Sequence, residues 1–302
     1  MAEREARLQG SVRATHDYIV RPLRGRDEIR DQLSARPDYT AYAIGQLEPG
    51  LFERTEWYSA YGDTGAGLVL HSRGGLGDAM FVSGDSGAVA AVVSLYPGPR
   101  TTYLTCQPQH LDALRHRYHL SNQQPMIRMV VNPETFQPVE TVETVALSGV
   151  DIRRINGLYS SEGGPSFYVP EHVDAGIYFG VVAEGRLLAA AGTHVVAPHE
   201  GVAVVGNVFT HPRYRGRGFA TAVTSAVTAV LLQTCPHVVL TVDPNNAPAV
   251  CAYRRLGYIE SCQLVEASAS RRDVMNLAYA FRRLRASIRG RKYDGSFVKL
   301  HR

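Results

Sequence analysis

Residues 204–258, VVGNVFTHPRYRGRGFATAVTSAVTAVLLQTCPHVVLTVDPNNAPAVCAYRRLGY, decide the fold of this 302-residue chain. The stretch opens within an apolar, β-branched run, residues 202–209, which predicts a buried strand. A turn with two glycines follows at residues 213–218, and apolar residues then recur at helical spacing over 219–231. A second buried strand over 238–242 and a second helix, closed by a glycine, complete a strand–helix–strand–helix unit.

Gly216 and Gly218 stand where the first strand of this unit turns into the first helix. Because they lack side chains, the backbone there can lie against a ligand. The first amides of the helix have no partner within it, and the helix dipole adds partial positive charge at the same place. Arg213, Arg215 and Arg217 add charge at the rim. The segment therefore predicts an anion site suited to a pyrophosphate.

Two well-known phosphate-binding patterns do not fit this segment. A P-loop requires a Gly-Lys-Ser/Thr ending, which the chain lacks. A dinucleotide fingerprint requires three glycines directly after the first strand and an acidic residue about 20 positions later. Here two glycines lie deep in the chain.

A third pattern resembles the acetyl-CoA motif of the GNAT acetyltransferase superfamily, Arg/Gln-x-x-Gly-x-Gly/Ala, which Arg213, Gly216 and Gly218 match. The next motif of that superfamily is Asn-x-x-Ala-x-x-x-Tyr followed by Leu-Gly-Phe/Tyr. Its matching residues here are Asn246, Ala249, Tyr253, Leu256, Gly257 and Tyr258. Since both motifs occur in order within the strand–helix–strand–helix unit, the second half of the chain resembles a GNAT domain.

The order of strand, turn, helix, strand and helix over residues 79–118 parallels the order over 202–255, which indicates an internal duplication. Neither motif recurs in the first copy. The resemblance to tandem-GNAT proteins with one degenerate half implies a mixed α/β fold of two domains, each a twisted mixed β-sheet flanked by helices. The expected division is a degenerate GNAT-like domain at 1–135, a linker at 136–147, an acetyl-CoA-binding GNAT domain at 148–270, and a basic amphipathic helix and tail at 271–302.

One departure from the family concerns the end of the second domain. A GNAT domain usually finishes with a seventh strand. After a predicted strand over residues 258–265, however, only a short polar segment, 266–270, precedes the last helix. The missing strand is expected either from elsewhere in the chain or from a short late hairpin. Residues 1–16 are polar and are expected to form a loose lead-in.

Transfer of an acetyl group from a thioester to an amine requires an anchored cofactor, a polarised carbonyl, a deprotonated amine and a protonated thiolate. The resemblance implies that free backbone amides at residues 208–210 hold the pantetheine and the thioester oxygen. Such fixed donors contribute about 3 kcal/mol each to oxyanion stabilisation. The implied acetyl-CoA-binding residues are Val208, Phe209, Thr210, Arg213, Arg215, Gly216, Arg217, Gly218, Phe219, Ala220 and Asn246.

Tyr253 matches the tyrosine that the superfamily places near the sulfur as a general acid. A phenol with a pKa of about 10 is suited to protonating a thiolate with a pKa near 8.5. The alternative is a core tyrosine on the last helix of the domain. Asn246 would contact the pantetheine arm, cap its helix, or do both.

The general base is open. Superfamily members often place a glutamate on the central strand, whereas Asn207 stands in that run here and cannot take a proton. The candidates are Glu162, Glu171, Asp174, His194 and His211, or an ordered water. For His211 a role in the turn is favoured, and for His194 a buried, hydrogen-bonded position in a strand.

The net charge of +4 is unevenly distributed. Residues 271–302 contain ten Lys/Arg and two Asp, so the remaining body is slightly negative, which favours a cationic acceptor. We expect the tail helix to dock on the domain with its arginines solvated; contact with nucleic acid or an acidic partner is the less favoured alternative. Its predicted apolar face consists of Val274, Leu277, Ala278, Phe281, Leu284 and Ile288.

No apolar run approaches the ~20 residues of a membrane span, and the charged N-terminus does not resemble a signal peptide. Cys106, Cys235, Cys251 and Cys262 show neither CxxC nor metal-ligand spacing. We therefore expect a cytoplasmic protein with reduced thiols, without a metal and without a membrane contact.

Together these features predict a cytoplasmic N-acetyltransferase that moves an acetyl group from acetyl-CoA to an amine by direct attack, with the first half shaping the substrate cleft. A homodimer is one option for its assembly. The alternative function is a non-catalytic acyl-CoA-binding or sensing protein.

Overall fold

The computed structural model describes residues 15–73, 77–163, 166, 168–273, 277–289 and 295–301. The strands found in these residues are β1 (Thr15–Leu23), β2 (Thr55–Gly62), β3 (Gly65–Ser72), β4 (Ala79–Gly84), β5 (Thr101–Cys106), β6 (Tyr118–Val131), β7 (Val145–Leu147), β8 (Tyr178–Ala183), β9 (Arg186–Ala197), β10 (Val202–Thr210), β11 (His237–Val242), β12 (Ile259–Arg271) and β13 (Ser296–His301). The helices are α1 (Arg26–Leu33), α2 (Pro37–Gly45), α3 (Ser86–Leu95), α4 (Leu111–Arg115), α5 (Ile152–Tyr159), α6 (Pro170–Asp174), α7 (Phe219–Leu231), α8 (Ala247–Arg255) and α9 (Leu277–Arg289).

All of these strands join one continuous sheet, in the order β13-β1-β2-β3-β4-β5-β12-β6-β11-β10-β9-β8-β7. Strands β1 to β4 are antiparallel neighbours, and β4 pairs in parallel with β5 after helix α3. Strands β7 to β10 repeat this arrangement, and β10 pairs in parallel with β11 after helix α7. The same topology thus occurs twice, which confirms both the predicted duplication and the mixed α/β fold class.

The two halves exchange strands at the centre of the sheet. Strand β6, from the first half, lies between β11 and β12 of the second half. Strand β12, from the second half, lies between β5 and β6 of the first half. The strand that the sequence left unplaced in the second half therefore comes from elsewhere in the chain, and it is β6.

Both exchanged strands extend beyond their apolar segments. Residues 266–270, expected as a connecting segment, belong to β12, where they pair with β5. Strand β6 begins at Tyr118, well before its apolar run at residues 126–131, because its polar first part pairs with the end of β12. Polar residues hide a strand from an analysis based on apolar runs, and only the long-range pairing reveals it.

Other elements also differ from expectation. Strand β1 begins at Thr15, where a loose lead-in was expected, and β7 lies at the end of the predicted linker. Helix α2 ends at Gly45. Gly45 faces β9 so closely that an added Cβ would lie 2.3 Å from the Cγ1 of Val195. Helix α2 thus belongs to the first half in sequence but packs on the sheet of the second half.

The second-half sheet is therefore covered on both faces. Helices α7 and α8 cover one face, over a core that includes Val223, Val227 and Leu256. Helix α2 covers the other face, next to β10, β12, β6 and β9. Between α2 and the sheet the packing is incomplete, and this incomplete face forms the cleft described below.

The C-terminal elements attach to the first half. Phe281, Leu284 and Ile288 were expected to dock, but they are 70%, 58% and 54% exposed, so that expectation is wrong for these three residues. The guanidinium of Arg282 donates to the carbonyl of Ser94 on α3 instead. Strand β13 pairs with β1 at the edge of the sheet. Val274 and the side chains of Leu277 and Ala278, also named in the predicted face, lie outside what the structure describes.

Within the described ranges, no helix combines the length and the apolar character needed to cross a membrane. All four cysteines are free thiols. No cluster of three or more His, Cys, Asp or Glu side chains suited to a metal ion is found in the described part of the chain.

Candidate functional site

A gap opens between β10 and β11 beyond their first four residue pairs. The two strands pair in parallel from Val202 and His237 to Val205 and Leu240. Beyond these pairs the two strands no longer pair with each other, although β10 continues to Thr210 beside β9 and β11 continues to Val242 beside β6. Backbone groups on the inner edges of the diverging strands are left without a partner strand, so a ligand can take that place.

Asn207 forms a bulge in β10 at the start of the gap. Its φ of +55° lies in the left-handed region, which asparagine adopts more readily than most residues. The hydroxyl of Tyr168 donates to its side-chain oxygen at 2.7 Å, and its side-chain nitrogen donates to the hydroxyl of Tyr178 at 2.9 Å. The hydroxyl of Tyr159 donates to its backbone carbonyl. These contacts hold the side chain and the backbone of Asn207 in place, so it positions the strand at the start of the gap.

Beyond the bulge, backbone donors on β10 point alternately to either side. The amide of His211 donates to the carbonyl of Leu188 on β9 at 2.9 Å. Because donors alternate along a strand, the amide of Thr210 points away from β9, toward the gap, whereas that of Phe209 faces β9. Val208 lies within the bulge, where this alternation is interrupted. Of the three amides named from the sequence, that of Thr210 is therefore directed at the gap and that of Phe209 is not.

The glycine segment ends in a helix start without a side-chain cap. Gly216 and Gly218 have φ values of +76° and +80°, and no atom lies within 4 Å of a Cβ added at either position. Glycine is thus required there by backbone conformation and not by lack of space. Gly218 occupies the N-cap position of α7 and offers no side-chain acceptor, so the amides of Phe219 and Ala220 have no partner within the helix. This is the geometry of an anion site.

The three arginines of this segment are exposed and differ in their contacts. Arg215 donates to Glu162 at 2.6 Å and to the carbonyl of Thr210 at 3.3 Å. The guanidinium carbon of Arg217 lies 5.2 Å from the ring centroid of Tyr214. Arg213 forms no ion pair with any residue that the structure describes. The charges of Arg213 and Arg217 therefore remain available to an anionic ligand.

Helix α8 places Tyr253 on the far side of the gap. The side chain is 7% exposed and lines the cleft, and its hydroxyl makes no hydrogen bond within the described residues. Burial raises the pKa of Tyr253 to about 12, so the phenol is protonated at neutral pH. Asn246 caps the same helix by accepting from the amide of Ala249 at 3.3 Å. A capping role for Asn246 is thus present, and contact with a ligand stays a prediction.

Several base candidates already have other partners. Asp174 accepts from the amide of Gly149 at 2.6 Å, and Nδ1 of His211 accepts from the amide of Arg213 at 3.3 Å, as expected for a turn. Glu162 is paired with Arg215, as described above. Glu171 lies exposed at the rim of the cleft.

His194 differs from these candidates and also from its predicted environment. It was expected to be buried and hydrogen-bonded, but its ring lines the cleft and is exposed there. Neither ring nitrogen makes a hydrogen bond within the described residues. The ring lies over Gly206 on β10, where an added Cβ would come within 2.1 Å of it. Desolvation and the nearby charge of Arg128 lower the pKa of His194, which keeps the imidazole neutral at pH 7.

These features share one cleft of about 1750 Å³. Its walls come from both halves: Tyr42 from α2, Gln46 directly after that helix and Arg128 from β6 line it together with the gap, the glycine segment and α8. Arg128 was not among the residues predicted for the site, although a single arginine inside the apolar run MIRMVV is a usable signal. The tyrosines around Asn207 were missed too, because they lie about 30 to 50 residues away along the chain.

The gap and the uncapped helix start together offer unpaired backbone donors and positive charge to an elongated ligand with an anionic end. Residues 151–258 match the family model described as the acetyltransferase (GNAT) family. This part of the chain is therefore a GNAT acetyltransferase domain, as the motifs predicted. No curated protein matches the sequence.

Solved structures resemble the chain over most of its length. A GCN5-related N-acetyltransferase from Kribbella flavida is 18% identical, with a TM-score of 0.51, over 79% of this chain and 97% of its own. A GCN5-related N-acetyltransferase from Sphaerobacter thermophilus is 16% identical, with a TM-score of 0.50, over 86% and 98%. A Drosophila protein is 13% identical, with a TM-score of 0.58, over 83% and 98%. At sequence identities this low, the structural similarity establishes the fold alone. The similarity covers both halves of the chain.

Proposed function

We propose that this protein is an N-acetyltransferase that moves the acetyl group of acetyl-CoA to an amine by direct attack. The observation that carries the proposal is the course of β10. This strand separates from β11 and then leads through the glycine segment to the uncapped start of α7. A long cofactor with an acyl group at one end and phosphates at the other fits this arrangement.

The cofactor would bind by its two ends. Its pyrophosphate accepts from the amides of Phe219 and Ala220, with Arg213 and Arg217 supplying positive charge at the rim. Its pantetheine arm lies in the gap and takes the place of the missing strand pairing. The amides of Val208 and Thr210 then donate to the arm and to the thioester oxygen, and the latter interaction strengthens as negative charge develops on that oxygen.

In the reaction, the amine nitrogen attacks the thioester carbon and forms the new C–N bond. The C–S bond then breaks, and its electron pair leaves with the sulfur. Tyr253 donates its hydroxyl proton to the leaving sulfur. This proton is available because the phenol is protonated at neutral pH and its hydroxyl has no other partner within the described residues.

We propose that His194 acts as the general base and accepts the proton of the attacking amine. This imidazole is exposed to the cleft, neutral at pH 7 and without a hydrogen bond in the described structure. The other candidates are engaged elsewhere or lie at the rim. Proton transfer from amine to imidazole and from phenol to thiolate balances the step, and solvent exchange restores both side chains.

The first half would shape the acceptor side of the cleft, which is supported by the residues that α2 and β6 contribute there. The basic tail does not enter the proposal, since Arg282 contacts α3 and β13 pairs with β1. The cytoplasmic location and the homodimer stay predictions.

The test combines calorimetric titration of acetyl-CoA with a thiol-release assay over a panel of amines. We expect binding in the wild type and thiol release with at least one amine. Gly216→Glu should abolish binding, because it adds strain and a negative charge where the phosphates lie. The matched control is Gly185→Glu, which changes another exposed glycine of positive φ with open space around it.

Equal binding in wild type and Gly216→Glu, or no binding in either, would refute the cofactor site. Tight binding without thiol release for any amine would favour the non-catalytic acyl-CoA-binding or sensing function. Titration of propionyl-CoA and succinyl-CoA in the same assay tests whether acetyl is the preferred acyl group.

A further inference from the structure

Arg128 is a buried arginine without a partner among the residues that the structure describes. It lies on β6, is 2% exposed and lines the cleft. Its guanidinium forms no hydrogen bond or ion pair with any described residue, and its Nε is completely buried without a partner. An arginine cannot relieve this by losing its proton. Burying an uncompensated charge is costly, so the site is complete only when a ligand supplies the counter-charge.

The nearest acidic groups do not supply it. Glu266 and Asp38 influence Arg128 electrostatically, but neither lies within 4 Å of its nitrogens. Glu266 accepts a hydrogen bond from the hydroxyl of Tyr103 at 2.6 Å, and Asp38 accepts one from the hydroxyl of Ser261. Both carboxylates are thus held by other residues, which leaves the guanidinium fork open toward the cleft.

Arg128 lies beside the gap between β10 and β11, where the proposed reaction takes place. It pairs across β6 and β11 with Thr241, which lies just beyond the last pair that joins β11 to β10. On the other side of the gap, the ring of His194 lies over Gly206. The two side chains are close enough for the charge of Arg128 to lower the pKa of His194. A molecule lying over the gap would therefore have Arg128 on one side and His194 on the other.

We infer that the acceptor is an amine that also carries a carboxylate, that is, a compound of the amino-acid class. The inference rests on the proposed function of the same site. The carboxylate pairs with the guanidinium of Arg128, which presents a planar fork matched to its two oxygens. This pairing directs the amine nitrogen over the gap, between His194 and the thioester carbon.

The same geometry disfavours other amines. A polyamine would place a second positive charge beside Arg128 and leave the guanidinium without a counter-charge. An amine without a carboxylate would also leave it unpaired, and sites with buried polar groups reject such analogues strongly. Gln46, whose side chain lines the cleft opposite the sheet without a hydrogen bond among the described residues, can contact the rest of the acceptor.

The test compares carboxylate-bearing amines with their neutral counterparts. The panel pairs glycine, β-alanine, γ-aminobutyrate, L-glutamate and L-lysine with the corresponding carboxamides, and adds spermidine. The full-length wild type, Arg128→Gln and Arg128→Lys are assayed for acetyl-CoA-dependent thiol release. Arg54→Gln removes an exposed arginine from the same cleft and serves as the charge control.

In the wild type, we expect at least one carboxylate-bearing amine to exceed its carboxamide about 100-fold in kcat/KM. Arg128→Gln should remove this preference mainly through a higher KM for the carboxylate-bearing amine, leave acetyl-CoA affinity unchanged, and be partly rescued by Arg128→Lys. Arg54→Gln should retain the preference. Equal use of carboxylate and carboxamide by the wild type, or an unchanged preference in Arg128→Gln, would overturn the assignment while leaving the acetyltransferase function intact.

A binding measurement decides the case in which no amine of the panel is acetylated. Thermal unfolding is then measured with saturating acetyl-CoA and each amino acid at millimolar concentration. A rise in Tm in the wild type that is absent in Arg128→Gln supports the carboxylate site, and the same response in both proteins overturns it. Failure to bind acetyl-CoA is seen separately by calorimetry and refutes the proposed function itself.

Discussion

The hydroxyl of Tyr168 donates a 2.7 Å hydrogen bond to the side-chain oxygen of Asn207. With Tyr159 and Tyr178, this contact holds Asn207 in a left-handed conformation at the bulge of β10. The bulge determines which amides of the strand face the gap. Residues outside β10 therefore set the direction of the donors that would bind the thioester, although none of the three tyrosine hydroxyls is itself assigned to the chemistry.

Replacing Asn207 should separate backbone conformation from hydrogen bonding. Asn207→Ala places an unsuited residue at φ +55° and leaves the tyrosine hydroxyls unpaired, so we expect a loss of about 2–3 kcal/mol in the free energy of unfolding. Asn207→Gly tolerates the conformation and should lose about 1 kcal/mol. Denaturant unfolding measures both losses, and calorimetry measures acetyl-CoA affinity.

Asn122→Ala is the matched control, because Asn122 has a φ of +51° at an exposed position on β6. It should show the strain without any loss of acetyl-CoA affinity. If Asn207→Ala were as stable as Asn207→Gly and bound acetyl-CoA normally, the bulge would have no role in positioning the cofactor.

Removing the hydroxyl of Tyr253 should affect turnover alone. Tyr253→Phe is expected to lower kcat by about 100-fold or more, with unchanged acetyl-CoA affinity, because the thiolate loses its proton donor. The free energy of unfolding should change by less than about 0.5 kcal/mol, since this hydroxyl has no hydrogen bond within the described residues. Steady-state kinetics and denaturant unfolding measure the two effects.

Tyr258→Phe, which changes the tyrosine just after helix α8, should show the opposite pattern. The Tyr258 hydroxyl is buried and lies 2.8 Å from the hydroxyl of Thr228. Its removal should cost about 1 kcal/mol of stability and leave kcat within about twofold. A Tyr253→Phe variant with wild-type kcat would make Tyr253 a core residue and leave the general acid unassigned.

Alanine at the helix start should weaken cofactor binding through the backbone. Gly218→Ala adds a side chain to a residue with φ +80° and open surroundings, so strain of about 1–2 kcal/mol is the expected cause of any change. Relief of that strain would turn the first amides of α7 away, and acetyl-CoA affinity should fall about tenfold by calorimetry. Gly185→Ala carries similar strain in the turn between β8 and β9 and should bind acetyl-CoA normally. An equal loss in both variants would point to a general effect on the fold.

The assignment of His194 predicts a pH dependence with a definite sign. The pKa of His194 is lowered from 6.5 by desolvation and by Arg128, and only the neutral imidazole can accept a proton. The kcat/KM should therefore fall as the pH drops through a value below 6.5. His194→Gln should lower kcat by about 100-fold and remove this acidic limb, while the limb caused by protonation of the free amine stays. An unchanged acidic limb in His194→Gln would exclude it as the base.

Features that depend on residues close together along the chain could be predicted from the sequence, whereas features that depend on distant residues could not. The glycine segment, the caps of α7 and α8 and the position of Tyr253 depend on neighbours within about one helical turn, so a local pattern specifies them. The Gly206-Asn207 pair inside a β-branched run also marks a bulge, which is a signal that could have been used. By contrast, the exposure of His194 depends on where α2 packs, and the partners of Asn207 come from other elements.

The pairing partners of β6 and β12 could not be predicted from the sequence for the same reason. Each strand pairs with a strand more than 100 residues away, and their polar segments carry no alternating pattern strong enough to set the register. The sequence could state that a strand was missing, but it could not identify β6 as the donor.

The exchange of these strands also limits which parts of the gene could be deleted during evolution. A duplicated enzyme could ordinarily discard the copy that has lost its cofactor motif. Here the copy without the motif contributes β6 to the sheet of the other, and Arg128 lies on that strand. Deleting the inactive half would leave β11 as an open edge and remove one wall of the cleft. Each half therefore supplies a strand to the sheet of the other, so a change in the gene that removes one half would also disrupt the half that remains.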